Sequence, residues 1–174
     1  MEKKNVIYWV GIKDQRNAEK YGNFEYFEYS KNTWKSFCKK HNCHFIEFDT
    51  PIESDLLKFR PNWQKAIFIF DELERKGIKY DQICLVDSTL MAMPQCPNFF
   101  ELTNHKFIGW CDTDNMRWIY DSIQGYKSFF NNYNFNQDNY INSGFIIFNE
   151  SHKLFFTSFK ELYYNNVDTF VDLQ

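Results

Sequence analysis

Hydrophobic residues recur along the chain in two ways, as short continuous runs and as longer stretches with an apolar residue every three or four positions. The short runs are rich in β-branched and aromatic residues and predict strands, whereas the longer period predicts helices that bury one face. The five predicted strands are Val6–Val10, His44–Phe48, Gln82–Val86, Phe107–Trp110 and Gly144–Phe148. Near-continuous apolar runs such as Gln82–Val86 are typical of strands covered on both faces of a sheet.

Four helices are predicted between and after these strands. The first is capped by Ser30, the second begins at Pro61 and stops at Gly77, the third spans Trp118–Phe130, and the fourth is capped by Ser151. Their inward-facing residues are predicted to be Trp34, Phe37, Cys38 and His41; Trp63, Ala66, Ile67, Phe70 and Leu73; Ile119, Ile123, Tyr126 and Phe130; and Leu154, Phe155, Phe159, Leu162 and Tyr163. The stretch Ile12–Tyr29 is predicted to be a polar, aromatic-rich loop.

The alternation of strands and helices predicts an α/β fold with a Rossmann-like arrangement. We expect a mainly parallel central sheet flanked by helices, with right-handed crossovers between parallel strands. A length of 174 residues suits a single domain over residues 1–174.

Charge and composition exclude several classes of function. The 20 Lys and Arg residues against 23 Asp and Glu residues argue against a duplex nucleic-acid binder, which needs a basic face. No apolar run approaches the roughly 18 residues of a membrane span, and the Lys-rich start is unlike a signal peptide, so the expected location is the cytoplasm. The high aromatic content, 21 %, is ascribed mainly to core packing.

Sequence motifs for several common sites are missing. The five cysteines are odd in number and form no CxxC pair, which argues against a disulfide framework and a structural zinc site. The chain contains no GxGxxG, GxxxxGK[ST], HExxH or GxSxG pattern. The four histidines are scattered, and structural or surface roles are expected for them.

Short segments that contain acidic, amide and small residues follow or precede the predicted strands. In open α/β sheets, ligands bind beyond the carboxyl ends of the strands, so these residues are candidates for one site. They are Gly11, Ile12, Lys13 and Asp14; Asp87, Ser88 and Thr89; Asp112 and Asp114; Asp138; and Asn142, Ser143 and Gly144. Carboxylate and carbonyl oxygens suit hard divalent cations, so the pattern predicts a metal site or a polyhydroxyl-binding site.

Three segments resemble GT-A glycosyltransferases of the galactosyltransferase type, in the order of that family. The stretch from Tyr80 to Pro94 (YDQICLVDSTLMAMP) is similar to the apolar strand that ends in the family's DxD motif. The residues Trp63-Gln64-Lys65-Ala66 resemble the family's "W.Ka" helix, and Asn142–Asn149 (NSGFIIFN) resembles its "fNsGvmlfn" strand.

This resemblance implies a sugar transferase that uses a nucleotide-diphosphate sugar, with a UDP-sugar as the expected donor, a glycan-type acceptor, and Mn²⁺ or Mg²⁺ as cofactor. Together with the places of the candidate residues beside the predicted strands, it gives the following expected roles. Nucleotide-sugar binding is expected of Gly11, Ile12, Lys13, Asp14, Trp63, Lys65, Asp87, Ser88, Asn142, Ser143 and Gly144; metal binding of Asp87 and Thr89; and catalysis of Asp112, Asp114 and Asp138.

The chain departs from the family at two points. Thr89 stands where the second acid of DxD is usual, and the sequence ends at Gln174, just after the last predicted helix. These departures suggest a truncated chain, a homo-oligomer or a missing C-terminal partner segment. They also keep two alternatives open: a weakened GT-A domain that binds a nucleotide sugar or glycan without efficient turnover, and an unrelated α/β binding module.

Simple structural roles are open for the same residues. Asp87 could cap a turn, Trp63 could belong to the core, and Asn142 could satisfy loop backbone groups. Lys65 is expected to face solvent unless it contacts a phosphate.

Overall fold

The computed structural model describes residues 3–113, 115–131 and 133–172 and contains one five-stranded sheet. The strands are β1 (Lys4–Val10), β2 (His44–Phe48), β3 (Tyr80–Asp87), β4 (Ile108–Cys111) and β5 (Ile141–Asn149). Their order is β2-β1-β3-β5-β4. The predicted α/β class is confirmed, and all five predicted strands are present within longer or slightly shifted bounds.

The prediction of a mainly parallel sheet is correct only in part. β1 pairs in parallel with both β2 and β3, but β5 is antiparallel to β3 and to β4. Strand period does not distinguish the two directions, because side chains alternate between faces in both kinds of ladder. The reversal of β5 brings the amino end of that strand to the edge where β1 and β3 end.

Seven α-helices surround the sheet in the described part of the chain. They are α1 (Gln15–Tyr21), α2 (Glu25–His41), α3 (Pro61–Ile67), α4 (Ile69–Arg75), α5 (Met116–Tyr126), α6 (Lys153–Asn165) and α7 (Val167–Asp172). One sheet face packs against α2 through residues that include Trp9 and Trp34. The other packs against α4 and α6 through residues that include Leu73 and Phe156. A third apolar cluster joins α3, α6 and α7.

The stretch predicted as a loop contains helix α1 and the beginning of α2, so the prediction that Ser30 caps the first helix was wrong. Ser30 lies inside α2 and is fully buried. Its hydroxyl accepts a hydrogen bond from the indole N–H of Trp9 at 3.0 Å and donates one to the carbonyl of Leu90. Both hydrogen-bond partners of this buried hydroxyl come from distant parts of the chain, so the local sequence pattern does not indicate that Ser30 is buried.

The predicted helix from Pro61 to Gly77 is divided into α3 and α4. The break falls at Phe68, whose φ of −114° departs from the helical value while its side chain stays buried. Gly77 ends the second part with a positive φ of 64°, as expected for a helix stop. The inward residues Ile67, Phe70 and Leu73 are buried as predicted.

The last predicted helices differ from the structure at their ends. Helix α5 stops at Tyr126 and a 3₁₀ turn follows, so Phe130 is 44 % exposed and does not lie in the core. In α6 the predicted inward residues Leu154 and Phe155 are exposed, and Phe156 is buried in their place. The short 3₁₀ turn Glu150–His152, capped by Asn149, shifts the phase of the helix that follows it.

None of the described helices combines the length and the apolar character needed to traverse a bilayer.

Candidate functional site

Three chain segments meet at the carboxyl edge of β1 and β3. Gly11 directly follows β1 and donates its N–H to the carbonyl of Phe48 at 3.0 Å. Ser88 directly follows β3 and donates its N–H to the carbonyl of Val10 at 3.0 Å. Because β5 is antiparallel, Asn142 and its neighbours begin that strand at the same edge. The residues after β1 and β3 and the first residues of β5 therefore lie at one edge of the sheet.

The centre of this edge is an ion pair between a helix and a strand end. The ammonium Nζ of Lys65 on α3 lies 2.7 Å from Oδ1 of Asp87 at the end of β3. The Lys65 side chain is 1 % exposed and that of Asp87 is 29 % exposed. The expectation of a solvent-facing Lys65 was therefore wrong. A buried ammonium needs a nearby negative charge, and Asp87 supplies it.

Asn142, Gly144 and Asp112 form one hydrogen-bonded group beside Asp87. The Asn142 amide donates to Oδ2 of Asp112 at 3.0 Å and accepts the N–H of Gly144 at 2.8 Å. A Cβ atom on Gly144 would lie 2.9 Å from Oδ1 of Asn142 and 3.2 Å from Oδ2 of Asp87. Glycine at this position therefore lets the carboxylate of Asp87 approach the backbone of β5.

A cavity of about 380 Å³ opens beside the end of β1, and we call it the β1-side cavity. Its lining includes Gly11, Lys13 and the ring of Phe24. The Lys13 ammonium lies 5.9 Å from the centre of that ring. Asp49, which directly follows β2, lines the cavity too and was not among the predicted site residues. Its position after a strand is the signal that would have identified it.

Asp14 has a structural role in the same region. Its carboxylate caps α1 by accepting the backbone N–H of Arg16 at 3.0 Å, and it also accepts hydrogen bonds from the Arg16 guanidinium. These bonds from Arg16 lower the pKa of Asp14 below its usual value. The guanidinium also donates to the carbonyl of Leu56, so Arg16 ties the helix start to the loop after β2.

The other predicted residues lie in different surroundings. Ile12 and Ser88 are buried, whereas Thr89 and Ser143 are exposed at the edge. Asp138 lies exposed in the turn Gln137–Asn139 and lines none of the cavities described here. Asp114 lies outside the described residues.

Trp63 packs against other aromatic rings and also lines a cavity. Its indole packs on Tyr163 and Phe170, with ring centres 5.3 Å away in each case. It also lines a second cavity of about 520 Å³ between α3 and α5, the α3–α5 cavity. Arg60, Trp118 and Tyr140 line that cavity as well and were not predicted as site residues.

Few side chains at this edge could act as ligands for a divalent cation. Within residues 3–113, 115–131 and 133–172, no three His, Cys, Asp or Glu side chains come together as a metal-binding group. Asp87 offers a carboxylate whose Oδ1 already binds an ammonium, and Thr89 offers a hydroxyl. These residues fit a cation that takes its remaining ligands from substrate phosphates, as Mg²⁺ commonly does, and not one held by protein alone.

Comparison with known proteins identifies the fold. No known family model and no curated protein matches the chain. Among solved structures, it is similar to the crystal structure of a glycosyltransferase involved in the glycosylation of the major capsid of PBCV-1, with a TM-score of 0.59 and 10 % identity. The match covers 93 % of this chain and 66 % of that one.

This chain has a glycosyltransferase-like fold. The likeness supports the predicted α/β fold class and extends to the fold alone. The assigned site residues, the metal and the single-domain boundary stay predictions. The chain spans about two thirds of the length of the solved structure that it matches.

Proposed function

We propose that the protein transfers a sugar from a nucleoside-diphosphate sugar, with a UDP-sugar as the expected donor, to a glycan acceptor. The observation that carries this proposal is the carboxylate of Asp87, held by buried Lys65 and set against the backbone of Gly144. This group lies at the sheet edge where α/β folds bind ligands. The glycosyltransferase-like fold supports the same activity.

The β1-side cavity is the proposed place for the nucleoside. The ring of Phe24 offers an aromatic face for a base, and the exposed ammonium of Lys13 offers a positive charge for a phosphate. The rest of the lining carries Lys31 and four carboxylates, so Lys13 near Gly11 is the proposed phosphate contact and the diphosphate points out of the cavity. Gly11 keeps the backbone close to the cavity. The diphosphate would then extend along the edge from Gly11 toward Asp87.

The proposed reaction exchanges one bond at the anomeric carbon for another. The acceptor's hydroxyl oxygen bonds to that carbon, the bond from the carbon to the diphosphate oxygen breaks, and the nucleoside diphosphate leaves with the electron pair. The hydroxyl proton passes to a base, for which Asp112 is the proposed residue because Asn142 links it to the group around Asp87. Lys65 is a positioning residue that acts through Asp87, since its own side chain is buried.

A divalent cation, Mn²⁺ or Mg²⁺, is part of the proposal. Asp87 and Thr89 would hold it together with phosphate oxygens of the donor. When bound, it would stabilise the negative charge that develops on the leaving nucleoside diphosphate. Because only one carboxylate is offered, we expect Mn²⁺ to bind much more tightly in the presence of UDP than alone.

Thr89→Asp is expected to tighten Mn²⁺ binding. A second carboxylate beside Asp87 adds charge to the ligand set, and the affinity of hard cations rises with ligand charge. Calorimetric titration of Mn²⁺ into both proteins, with and without UDP, measures the effect. Thr157→Asp adds the same charge on an exposed position of α6 and should leave Mn²⁺ affinity unchanged. An unchanged affinity in Thr89→Asp would show that Thr89 does not face the cation.

Nucleotide binding is the first test of the proposed function. A screen of thermal unfolding with UDP-, GDP- and dTDP-sugars, each with Mn²⁺, should find one that stabilises the protein. At a hundred times its dissociation constant, a ligand adds about 2.7 kcal/mol to the free energy of unfolding. The absence of any shift at millimolar concentration would contradict the proposal.

Asp87→Asn and Asp81→Asn form a matched pair for the same screen. Both residues lie on β3, but Asp81 is exposed near the opposite end of the strand. Asp87→Asn should lose the nucleotide-dependent shift, and Asp81→Asn should keep it. A donor that binds in the wild type but is neither hydrolysed nor transferred would favour the alternative, a domain that binds nucleotide sugars without turnover.

A further inference from the structure

The α3–α5 cavity is lined by aromatic rings and by polar side chains. Aromatic rings come from Trp63 on α3, Trp118 on α5 and Tyr140 before β5. Polar groups come from Asn62 and Asp121, among others, at the same wall. Its volume of about 520 Å³ lies within the range of small-molecule sites. A pyranose ring presents apolar C–H faces and polar hydroxyl edges, which match aromatic faces and amide or carboxylate groups respectively.

Trp118 is the residue that most needs an explanation. It is 55 % exposed, whereas burial of an indole usually stabilises the folded protein. Its ring meets Tyr140 edge to face, with centres 5.8 Å apart and planes at 85°. Its backbone N–H is held by the side chain of Asn115, which caps α5. The Asn115 cap holds the backbone at the start of α5, and the contact with Tyr140 places the indole at the cavity wall with much of its surface uncovered.

The cavity adjoins the group around Asp87. Ser143 lines the cavity, and it directly precedes Gly144, whose Cβ position lies 3.2 Å from Oδ2 of Asp87. A molecule in the cavity therefore lies next to Asp87, toward which the donor diphosphate is proposed to extend. Arg60 and Asp121 contribute one positive and one negative charge to the lining, which suits an uncharged ligand.

We propose that the α3–α5 cavity binds the acceptor, a neutral saccharide, with the indole of Trp118 as its stacking face. This inference rests on the proposed function and names the substrate class of the same site. Trp118 orients the acceptor's hydroxyl toward the donor and takes no part in the bond exchange.

The test compares two exposed tryptophans. Trp110 on β4 is 58 % exposed, close to the exposure of Trp118, and does not line the cavity. The wild type, Trp118→Ala and Trp110→Ala are examined by saturation-transfer NMR. The probes are methyl glycosides of glucose, galactose, mannose, rhamnose and N-acetylglucosamine, each with UDP present. We expect transfer to the ring C–H protons of at least one glycoside in the wild type and Trp110→Ala, and at least fivefold weaker transfer in Trp118→Ala.

Three results would overturn the inference. The first is no transfer to any glycoside in the wild type, and the second is an equal loss in both tryptophan variants. The third is a Trp118→Ala variant that binds UDP normally but a UDP-sugar more weakly, because the cavity would then hold the donor's own sugar. UDP affinity, measured by calorimetry on the same three proteins, separates this from the proposed function. A wild type that does not bind UDP contradicts that function whatever the glycosides do.

Discussion

Asp87→Ala is expected to lower the free energy of unfolding by about 2 to 3 kcal/mol and to weaken nucleotide binding at least tenfold. The variant leaves the 1 % exposed ammonium of Lys65 without the carboxylate that lies 2.7 Å away. Breaking a fully buried pair costs about 3–5 kcal/mol, and the 29 % exposure of Asp87 places this case below that range. Urea unfolding and calorimetric titration of UDP measure the two effects.

The double variant Lys65→Met/Asp87→Ala is the control that separates stability from binding. Replacing both charges by apolar groups removes the stranded ammonium, so most of the stability should return. Nucleotide binding should not return, because the carboxylate is still missing. If Asp87→Ala alone unfolds at the wild-type urea concentration, the ion pair does not stabilise this edge.

Gly11→Ala is expected to lower the free energy of unfolding by about 3 kcal/mol, at the upper end of the usual cost of overpacking. A Cβ atom at Gly11 would lie 2.1 Å from two carbons of the Trp9 ring. That ring cannot move away easily, because it is 1 % exposed, packs edge to face on Phe27 and donates its N–H to Ser30. Nucleotide affinity should fall as well, since Gly11 lines the β1-side cavity.

Gly77→Ala is the matched control for this prediction. Gly77 has a positive φ of 64° and no atom within 4 Å of a Cβ position, so alanine there meets strain but no clash. A cost of about 1–2 kcal/mol is expected from the left-handed conformation alone. Urea unfolding of both variants compares the two effects. A Gly11→Ala variant as stable as Gly77→Ala would mean that Trp9 can move aside.

The central strands were predictable because a strand buried on both faces has a nearly continuous run of apolar residues, as β3 does. Helix phases were less predictable. Phe156 is buried and Phe155 is exposed, although both are phenylalanines in the same helix turn. The choice between them depends on the 3₁₀ turn before α6, and therefore on where the sheet places the start of the helix.

The edge of the sheet that carries the candidate site was predictable, but its contacts were not. Residues after β1 and β3 were expected to meet, since parallel strands end at one edge. Asn142 reaches that edge only because β5 is antiparallel. Lys65 meets Asp87 across 22 positions of sequence through the packing of α3, and nothing local to either residue indicates burial of the lysine. Trp118 and Tyr140 likewise meet only in the folded chain.

The connection between β4 and β5 begins and ends at adjacent positions of the sheet, because these two strands are paired. The N–H of Asp112 donates to the carbonyl of Tyr140 at 2.8 Å, so the two ends of this segment are fastened to each other. A connection whose ends are held together can change in length or composition with only a small change in the entropy of loop closure. Helix α5 and its tryptophan belong to it, whereas the β1-side cavity, Lys65 and Asp87 do not. On the proposal that the α3–α5 cavity binds the acceptor, residues of α5 could be replaced by those of a related enzyme to change the acceptor preference, while Asp112, Lys65 and Asp87 stay in place.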